Sequence, residues 1–464
     1  MSAEHDHDHD HDHEVAGDDV ELRDEDVVEI VEDDGPAGEP MDDDDDLAGY
    51  DGEIVIGGPG PDDEDMEEVE QIEIEDNSWG GSSAHESGQS IFALHLHPAF
   101  PNPPLAVSGG EDDMAFIFSP VPAASGSEIN SDSFTPIPLA GHTDSVVAAE
   151  WSHDGNMVAT GGMDGKVRVY KRGNAESWTE WPLAVEVDAG SEVQWVHWHP
   201  RGPVLAAGCE DSSVWLWQMP SGDVMTVLSG HTFPVTAGVF PPPAGRQILT
   251  ASLDSTLILW NPSTSVPMFK TSVFCPPNFP ELDPAEHGIT ALAVAPAGNL
   301  AAVGSASGQV KVVSLPKGEV VSKFEGHAEG ESVEALAFVD VLGGAGGGKG
   351  VVLVSGGTDG KGFVWDVATS KVRAELKHDE PITSLAVHPA PAHYLVTSAS
   401  ADRTLKTWDV RTGALIAEHK GHGGVVNGVA VAPAPGAEPS SNGLPAAQAI
   451  VSGGDEGVSL VWRI

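Results

Sequence analysis

An eightfold internal repeat constrains the fold of this chain more than any other feature of its sequence. Each copy contains a small-residue turn, an Asp in most cases and, six residues later, a residue that closes a short apolar run, as in TGGMDGKVRVY and SGGTDGKGFVW. Self-similarity at this spacing predicts repeated units that bury their apolar faces against one another. The closing positions lie 43 to 54 residues apart, at Phe118, Tyr170, Trp217, Trp260, Val313, Trp365, Trp408 and Trp462.

A histidine stands ahead of most copies. It follows a glycine in Gly141-His142, Gly230-His231, Gly326-His327 and Gly421-His422, and the histidine alone is kept as His85, His287 and His378. The order Gly-His, Ser or Thr, Asp and Trp resembles the WD40-repeat family from about residue 85 to the end of the sequence. The resemblance implies an all-β chain, an eight-bladed WD40 β-propeller in which each copy forms a four-stranded blade.

The same resemblance implies a structural tetrad within a blade. In the family, the His, the Ser or Thr, the Asp and the Trp form a buried hydrogen-bond chain that ties the strands of one blade together, which is tolerated because each polar group has a partner. We assign four such sets: His142, Thr160, Asp164 and Tyr170; His231, Thr250, Asp254 and Trp260; His327, Ser355, Asp359 and Trp365; His378, Ser398, Asp402 and Trp408.

The same residue types could also be interpreted as scattered members of a Ser-His-Asp catalytic triad. A catalytic serine needs exposure and an oxyanion site, whereas repetition of the set in several blades favours a scaffold. We therefore predict no catalytic residue, no metal site and no cofactor, and expect that the protein is not an enzyme.

Two copies depart furthest from the pattern. The third has Ala189-Gly190 in place of Gly-His and Ala207 in place of Ser, and the fifth has Val303 and Ser307 in place of Ser and Asp. We expect these blades to be the least rigid.

The last blade lacks a strand of its own. The chain ends at Trp462-Arg463-Ile464, just after a third strand, so another segment must supply the fourth. Residues 68–75 alternate apolar and polar side chains, as a half-buried strand does. We predict that residues 69–76 close the last blade and remove its exposed edge, which divides the chain into a tail, 1–68, and a propeller, 69–464.

Charge is concentrated in the N-terminal segment. Residues 1–80 carry 34 Asp and Glu and a single Arg, a net charge of −33, and the rest of the chain carries −19. Residues 1–68 are too acidic and too poor in aromatics to bury a core, so we predict a disordered acidic tail. Negative charge disfavours direct nucleic-acid binding and favours a basic protein partner, although such charge can also serve solubility alone.

The sequence also bears on the cellular compartment of the protein and on its oligomeric state. Two cysteines cannot form a disulfide framework, and the start MSAEHDHDHD does not resemble a secretory signal. The chain also has no apolar run of roughly 18 residues that would suit a membrane helix. We expect a monomer in the cytoplasm, with a nuclear pool as a further option and no membrane contact.

A narrower resemblance concerns function. The acidic tail, SGGEDDMAF in the first copy and VQWVHWHPRGPVLAAG in the third are similar to the angio-associated migratory cell protein branch of WD40 proteins, which includes a fungal dedicated chaperone of large-subunit ribosomal protein L ten (L10). The resemblance implies capture of the newly made basic protein and its delivery to pre-60S particles. The alternative is a generic scaffold for signalling or ubiquitin-ligase complexes, for which the fold alone is evidence.

We predict the binding face from the loops that hold the tetrad Asp and the loops that lead into the first strand of each blade. Acidic residues at these positions are expected to grip Lys and Arg of an extended basic segment; scattered solvated acids are the alternative. The residues are Glu111, Glu210 and Asp455, beside or on the tetrad Asp position, and Asp144, Glu192, Glu331, Asp379 and Glu380, just before the first strand.

Trp195 is the remaining partner-binding candidate. Alignment of the first strands puts it where the other copies hold small residues. It is either an aromatic and cation–π anchor for the partner or a plug that compensates for the degenerate third blade. The small residues are Ala93, Ala148, Ala237, Ala291, Ala335, Ser384 and Gly428.

Overall fold

The computed structural model describes residues 75–275, 283–342, 350–436 and 447–464. The predicted disordered tail, 1–68, and its boundary with the propeller lie outside these ranges. Within them the chain forms eight four-stranded antiparallel sheets, which we number as blades 1 to 8 along the chain.

The strands follow one another through the blades in chain order, except that β1 (Gly80–Ser82) belongs to the last blade. Blade 1 contains β2 (Ile91–Leu96), β3 (Ala106–Gly110), β4 (Ala115–Phe118) and β5 (Ile137–Leu139). Blade 2 contains β6 (Val146–Trp151), β7 (Met157–Gly162), β8 (Lys166–Lys171) and β9 (Leu183–Asp188). Blade 3 contains β10 (Val193–Trp198), β11 (Val204–Cys209), β12 (Ser213–Gln218) and β13 (Asp223–Ser229).

Blades 4 to 8 repeat this order. Blade 4 contains β14 (Val235–Val239), β15 (Ile248–Ser252), β16 (Thr256–Asn261) and β17 (Val266–Ser272), and blade 5 contains β18 (Ile289–Val294), β19 (Leu300–Ser305), β20 (Val310–Ser314) and β21 (Glu319–Phe324). Blade 6 contains β22 (Val333–Asp340), β23 (Val351–Gly357), β24 (Lys361–Asp366) and β25 (Lys371–Lys377). Blade 7 contains β26 (Ile382–Val387), β27 (Leu395–Ser400), β28 (Leu405–Asp409) and β29 (Ala414–His419), and blade 8 contains β30 (Val426–Pro433), β31 (Gln448–Gly454), β32 (Ser459–Arg463) and β1.

Helix is confined to two short elements in the described ranges. These are a 3₁₀ turn, Ala123–Ser125, and α1, Pro284–His287.

The blades form a closed ring. The first strand of each blade contacts the first strand of the next, from β2 through β30, and β30 contacts β2 in turn. The core therefore lies between neighbouring blades, where apolar side chains of two sheets interdigitate. Val169 of blade 2 and Trp217 of blade 3, for example, belong to one buried cluster.

Burial falls from the middle of each blade to its outer edge, as the sequence pattern dictates. The second strand is a continuous apolar and small-residue run that is almost wholly buried, as in β7 and β27. The outer strand is exposed at most positions, as in β13 and β17. A strand covered on both faces can be apolar throughout, whereas an edge strand cannot.

The N-terminal segment supplies the fourth strand of blade 8, as predicted, but at a different place. β1 pairs antiparallel with β32, with Gly80 opposite Val461 and Ser82 opposite Ser459. The closing strand is thus 80–82 and not 69–76; Glu75 and Asp76 are not in a strand, and 69–74 lie outside the described residues.

The physical reason for this correction is backbone clearance rather than side-chain alternation. A Cβ atom on Gly81 would lie 2.6 Å from the Ser459 carbonyl oxygen, so the close approach to β32 requires glycine. Asn77 fixes the entry to the strand, because its Oδ1 accepts hydrogen bonds from the Trp462 indole at 2.9 Å and the Lys420 amide at 2.9 Å. The alternation of apolar and polar residues in the sequence reveals neither the close backbone approach at Gly81 nor the hydrogen bonds of Asn77.

Candidate partner-binding face

Three of the four predicted tetrads form as expected. In blade 6, His327 Nε2 lies 2.8 Å from Ser355 Oγ, His327 Nδ1 lies 3.0 Å from Asp359, and the Trp365 indole donates to Ser355 Oγ at 2.9 Å. Blades 4 and 7 repeat this chain with His231, Thr250, Asp254 and Trp260, and with His378, Ser398, Asp402 and Trp408.

Blade 2 varies the chain, since it has Tyr170 in place of Trp. His142 lies 2.8 Å from Thr160 Oγ1 and 3.0 Å from Asp164, while the Tyr170 hydroxyl donates to the Ala140 carbonyl at 2.9 Å. Arg168, itself buried, reaches Asp164 Oδ2 at 2.9 Å. The carboxylate therefore has a second charged partner in this blade.

Ionisation within the tetrads supports a structural role. Burial lowers the pKa of His327 even though its hydrogen bond with Asp359 opposes this. For Asp254, burial favours a higher pKa, but the hydrogen bonds with His231 and Thr256 outweigh it and hold the pKa well below its usual range. In blades 4, 6 and 7 the His, Ser or Thr, Asp and Trp side chains of the tetrad all have hydrogen-bond partners, which is the condition for retaining them in a core.

Two further sets were not assigned from the sequence. In blade 1, His85 Nε2 lies 2.7 Å from Ser108 Oγ and Nδ1 lies 2.9 Å from Asp112. In blade 8, His422 contacts Ser452 and Glu456. The signal was present in the isolated His85 and in Gly421-His422. In blade 8, Glu456 stands where the other sets have Asp, which concealed this set in the sequence. Asp455 is therefore next to the tetrad position and not on it.

One repeated hydrogen bond brings the two predicted kinds of loop to the same face. The amide of the residue before the tetrad Asp position donates to the carbonyl of the residue before the first strand, as from Glu111 to Ser90, from Glu210 to Glu192 and from Asp455 to Val425, each at 2.9 Å. We call the surface built by these two sets of loops the rim face.

All eight predicted acidic residues lie on the rim face. Seven are exposed and Asp455 is partly buried. Several accept hydrogen bonds from neutral neighbours: Glu210 from Gln194 at 3.0 Å, Glu331 from Thr358 at 2.7 Å and Asp455 from Asn427 at 2.6 Å. None of the eight forms a salt bridge with another residue of the described ranges.

Trp195 lies at the boundary between blades 3 and 4. Its indole N–H donates to the Val235 carbonyl at 2.9 Å. The ring occupies the space above two glycines, because Cβ atoms on Gly208 and Gly238 would lie 2.2 Å and 2.0 Å from its atoms. The side chain is partly buried, so it packs between two blades and leaves only part of its surface to solvent.

The rim face is thus a surface of carboxylates around the inner strands, held by the tetrads and the repeated loop hydrogen bonds. Comparison with known proteins identifies the family to which this chain belongs. The WD40 family profile, described as "WD domain, G-beta repeat", matches residues 135–171, 186–218, 222–261 and 370–409. Angio-associated migratory cell protein from Homo sapiens is 31% identical over 408 residues, covering 80% of this chain and 86% of the human protein.

The chain belongs to the angio-associated migratory cell protein family of WD40-repeat proteins. The chain is also similar to a more distant relative, the ribosome assembly protein SQT1 of Saccharomyces cerevisiae. The two are 25% identical over 441 residues, covering 89% of this chain and 93% of the yeast protein. Among solved structures, Chaetomium thermophilum Sqt1 bound to the N-terminus of the ribosomal protein L10 has 25% identity and a TM-score of 0.67, with 84% of this chain and 100% of the other covered.

For this member of the angio-associated migratory cell protein family, two structural observations bear on chemistry. In the described ranges, no group of three or more His, Cys, Asp or Glu side chains is arranged to hold a metal ion. No helix in those ranges is both long and apolar enough to cross a membrane. What the geometry offers is an anionic face, and carboxylates of this kind are the usual hydrogen-bond acceptors for cationic side chains.

Proposed function

We propose that this chain is a dedicated, non-enzymatic chaperone of ribosomal protein L10 in assembly of the large ribosomal subunit. It binds the newly made basic protein in the cytoplasm through an extended basic segment on the rim face, shields it, and delivers it to pre-60S particles. The Sqt1 homologue that is bound to the N-terminus of L10 supports this choice of partner.

One observation carries the proposal: the rim face holds eight carboxylates with no cationic partner in the described chain. Unpaired like charges repel one another in the free protein, and a segment rich in Lys and Arg relieves this repulsion when it binds. Rim charges also steer encounter, so binding is expected to be fast and sensitive to salt.

The test is direct binding of a fluorescent peptide with the sequence of the L10 N-terminus, measured by anisotropy. Glu111→Lys with Glu210→Lys should weaken binding by about tenfold or more at low salt, because two attractions become repulsions. The control is Glu319→Lys, which makes the same change of charge as each single rim substitution at the exposed start of β21, on the opposite side of the blade.

Melting curves of the three proteins establish that the rim substitutions leave the propeller folded. Unchanged binding by the folded double variant would reject the rim face as the binding site. Recovery of many signalling proteins and no ribosomal protein in a pull-down from rapidly translating cells would favour the generic scaffold instead.

A further inference from the structure

The rim face carries an apolar patch among its carboxylates. Phe92 of blade 1 is 41% exposed and Met163 of blade 2 is 38% exposed. Val147, which is partly buried, is the second residue of the first strand of blade 2, as Phe92 is in blade 1. We refer to Phe92, Val147 and Met163 as the apolar patch.

The position of Phe92 and Val147 has a polar structural role in other blades. Their counterparts donate side-chain hydrogen bonds to the first-strand carbonyl of the next blade: Thr236 to Ile289, Thr290 to Val333, Thr383 to Val426 and Asn427 to Ile91. Side chains at this position therefore point from the rim toward the following blade. Phe92 and Val147 cannot donate, so in blades 1 and 2 this direction is apolar.

Met163 lies next to the same strand. Its amide donates to the Ser145 carbonyl at 2.9 Å, the hydrogen bond that the amides of Glu111 and Glu210 make in blades 1 and 3. Around the ring, the order from blade 8 to blade 3 is therefore Asp455, Glu111, Met163 and Glu210. A flexible thioether, suited to irregular apolar ligands, is flanked on both sides by carboxylates.

Single exposed apolar residues are ordinary on protein surfaces, and others occur on the outer strands, such as Val224 at 55% and Val266 at 57%. The apolar patch differs because its members lie on two neighbouring blades, 1 and 2, on the face where the unpaired carboxylates are concentrated. Clustered apolar surface rimmed by polar groups is typical of interaction sites.

We propose that the apolar patch is a subsite for one large apolar side chain of the bound segment, with Lys or Arg residues on either side of that side chain paired to Glu111, Asp455 and Glu210. This inference rests on the proposed function. It states that the partner is recognised by the order basic, apolar, basic and not by positive charge alone. Charge attracts many basic proteins, whereas a desolvated apolar contact discriminates among them.

The experiment compares two peptides of equal charge: the L10 N-terminal sequence, and a version in which each large apolar residue is replaced by Ser. Phe92→Ser should weaken binding of the first peptide by roughly tenfold, the usual scale of an interface anchor. Because the lost contact is apolar, the loss should persist at high salt, whereas the effect of Glu111→Lys should shrink.

Phe92→Ser should have little effect on the Ser-substituted peptide, because the two changes remove the same contact and are not additive. Val224→Ser, on exposed strand β13, is the matched control. Met163→Ser, in a surface turn, provides a second test if Phe92→Ser lowers the melting temperature.

If the folded Phe92 and Met163 variants bind the natural peptide as the parent protein does, while Glu111→Lys weakens it, the apolar subsite is refuted and the proposed function stands. Equal affinity of the parent protein for both peptides also refutes the subsite. If the parent protein binds neither peptide, the proposed function fails and the subsite fails with it.

Discussion

At the scale of single residues, Trp195 packs between blades 3 and 4 at a position where its repeat is unusual. The other first strands hold a small residue here, and most of them hold Leu or Val at the following position, as Leu292 and Leu336 do. Gly238 takes that following position in blade 4, and the indole of Trp195 fills the space above it. The geometry favours a wedge between blades, with the exposed part of the ring left for a partner.

We predict that Trp195→Ala lowers the free energy of unfolding by about 2–4 kcal/mol, because it removes partly buried ring contacts and the hydrogen bond to Val235. Urea denaturation measures this loss. Adding Gly238→Leu should recover part of the stability, since it restores the pairing of a small residue with Leu that other blades use. Unchanged stability combined with weakened partner binding would instead establish Trp195 as an anchor.

Blade 7 contains a buried hydrogen-bond chain that is separate from its tetrad. His388 Nε2 lies 2.8 Å from Thr397 Oγ1, which lies 2.8 Å from Thr407 Oγ1, and the latter lies 2.9 Å from His419 Nε2. Burial lowers the pKa of His388 to about 4, with a smaller contribution from His419. Burial likewise lowers the pKa of His419 to about 4.

These pKa values predict a loss of stability in mild acid. Between the ordinary value of 6.5 and about 4, each histidine is protonated in the unfolded chain but neutral in the folded one. Unfolding therefore takes up protons, and stability falls as the pH drops through this window, by up to about 1.4 kcal/mol per pH unit for each histidine.

The measurement is the free energy of unfolding in urea from about pH 7 to about pH 5. His388→Gln, which can still hydrogen-bond to Thr397, should flatten the slope relative to the parent protein. His153→Gln is the control, because His153 is exposed in the turn after β6. An unchanged slope in the His388 variant would contradict the prediction.

At the scale of elements, the closing strand depends on a short approach segment as much as on its own pairing. Lys420 Nζ lies 2.8 Å from Glu75, the Asn77 amide donates to the Lys420 carbonyl at 3.1 Å, and the Trp79 amide donates to Val461 at 2.7 Å. Residues 75–79 thus follow the edge of blade 7 into blade 8. Removing them would expose the edge of β32 and leave the Trp462 indole without its acceptor.

We therefore predict different outcomes for two truncations. Deletion of residues 1–74 should leave the melting temperature close to that of the full chain, whereas deletion of residues 1–82 should lower it strongly. Asn77→Ala in the full chain should give an intermediate loss, because it removes the acceptor for Trp462 Nε1 and for the Lys420 amide. Thermal unfolding monitored by circular dichroism compares the two truncations and the Asn77→Ala variant with the full chain. Equal melting temperatures for both truncations would show that β1 does not hold the ring closed.

At the scale of the whole molecule, the ring turns distant sequence positions into neighbours. Asn77 and Trp462 are 385 residues apart and share one hydrogen bond. The rim acids come from six different blades, each placed by the same loop geometry. The first strand of each blade packs against the first strands of the two neighbouring blades. We expect a substitution in an exposed rim loop to alter binding without disturbing the packing between the outer parts of the blades.

Much of this architecture was determined by the sequence alone, and the reason is locality. The tetrads of blades 4, 6 and 7 were assigned correctly because their members lie within one repeat, at spacings that the four-stranded blade fixes. The number of blades followed from the same period. The prediction that an N-terminal strand closes the ring followed from counting strands after Trp408.

The tertiary structure alone decided the features that depend on contacts between repeats. The closing strand lies at 80–82 because Gly81 allows close backbone approach to β32, which no alternation of apolar residues reveals. Glu456 and not Asp455 completes the blade 8 set because its longer side chain reaches His422. The environment of Trp195 arises from packing between blades 3 and 4, and the apolar patch combines residues of blades 1 and 2. Closure of the ring brings residues of neighbouring blades together, and their separation along the chain does not predict this.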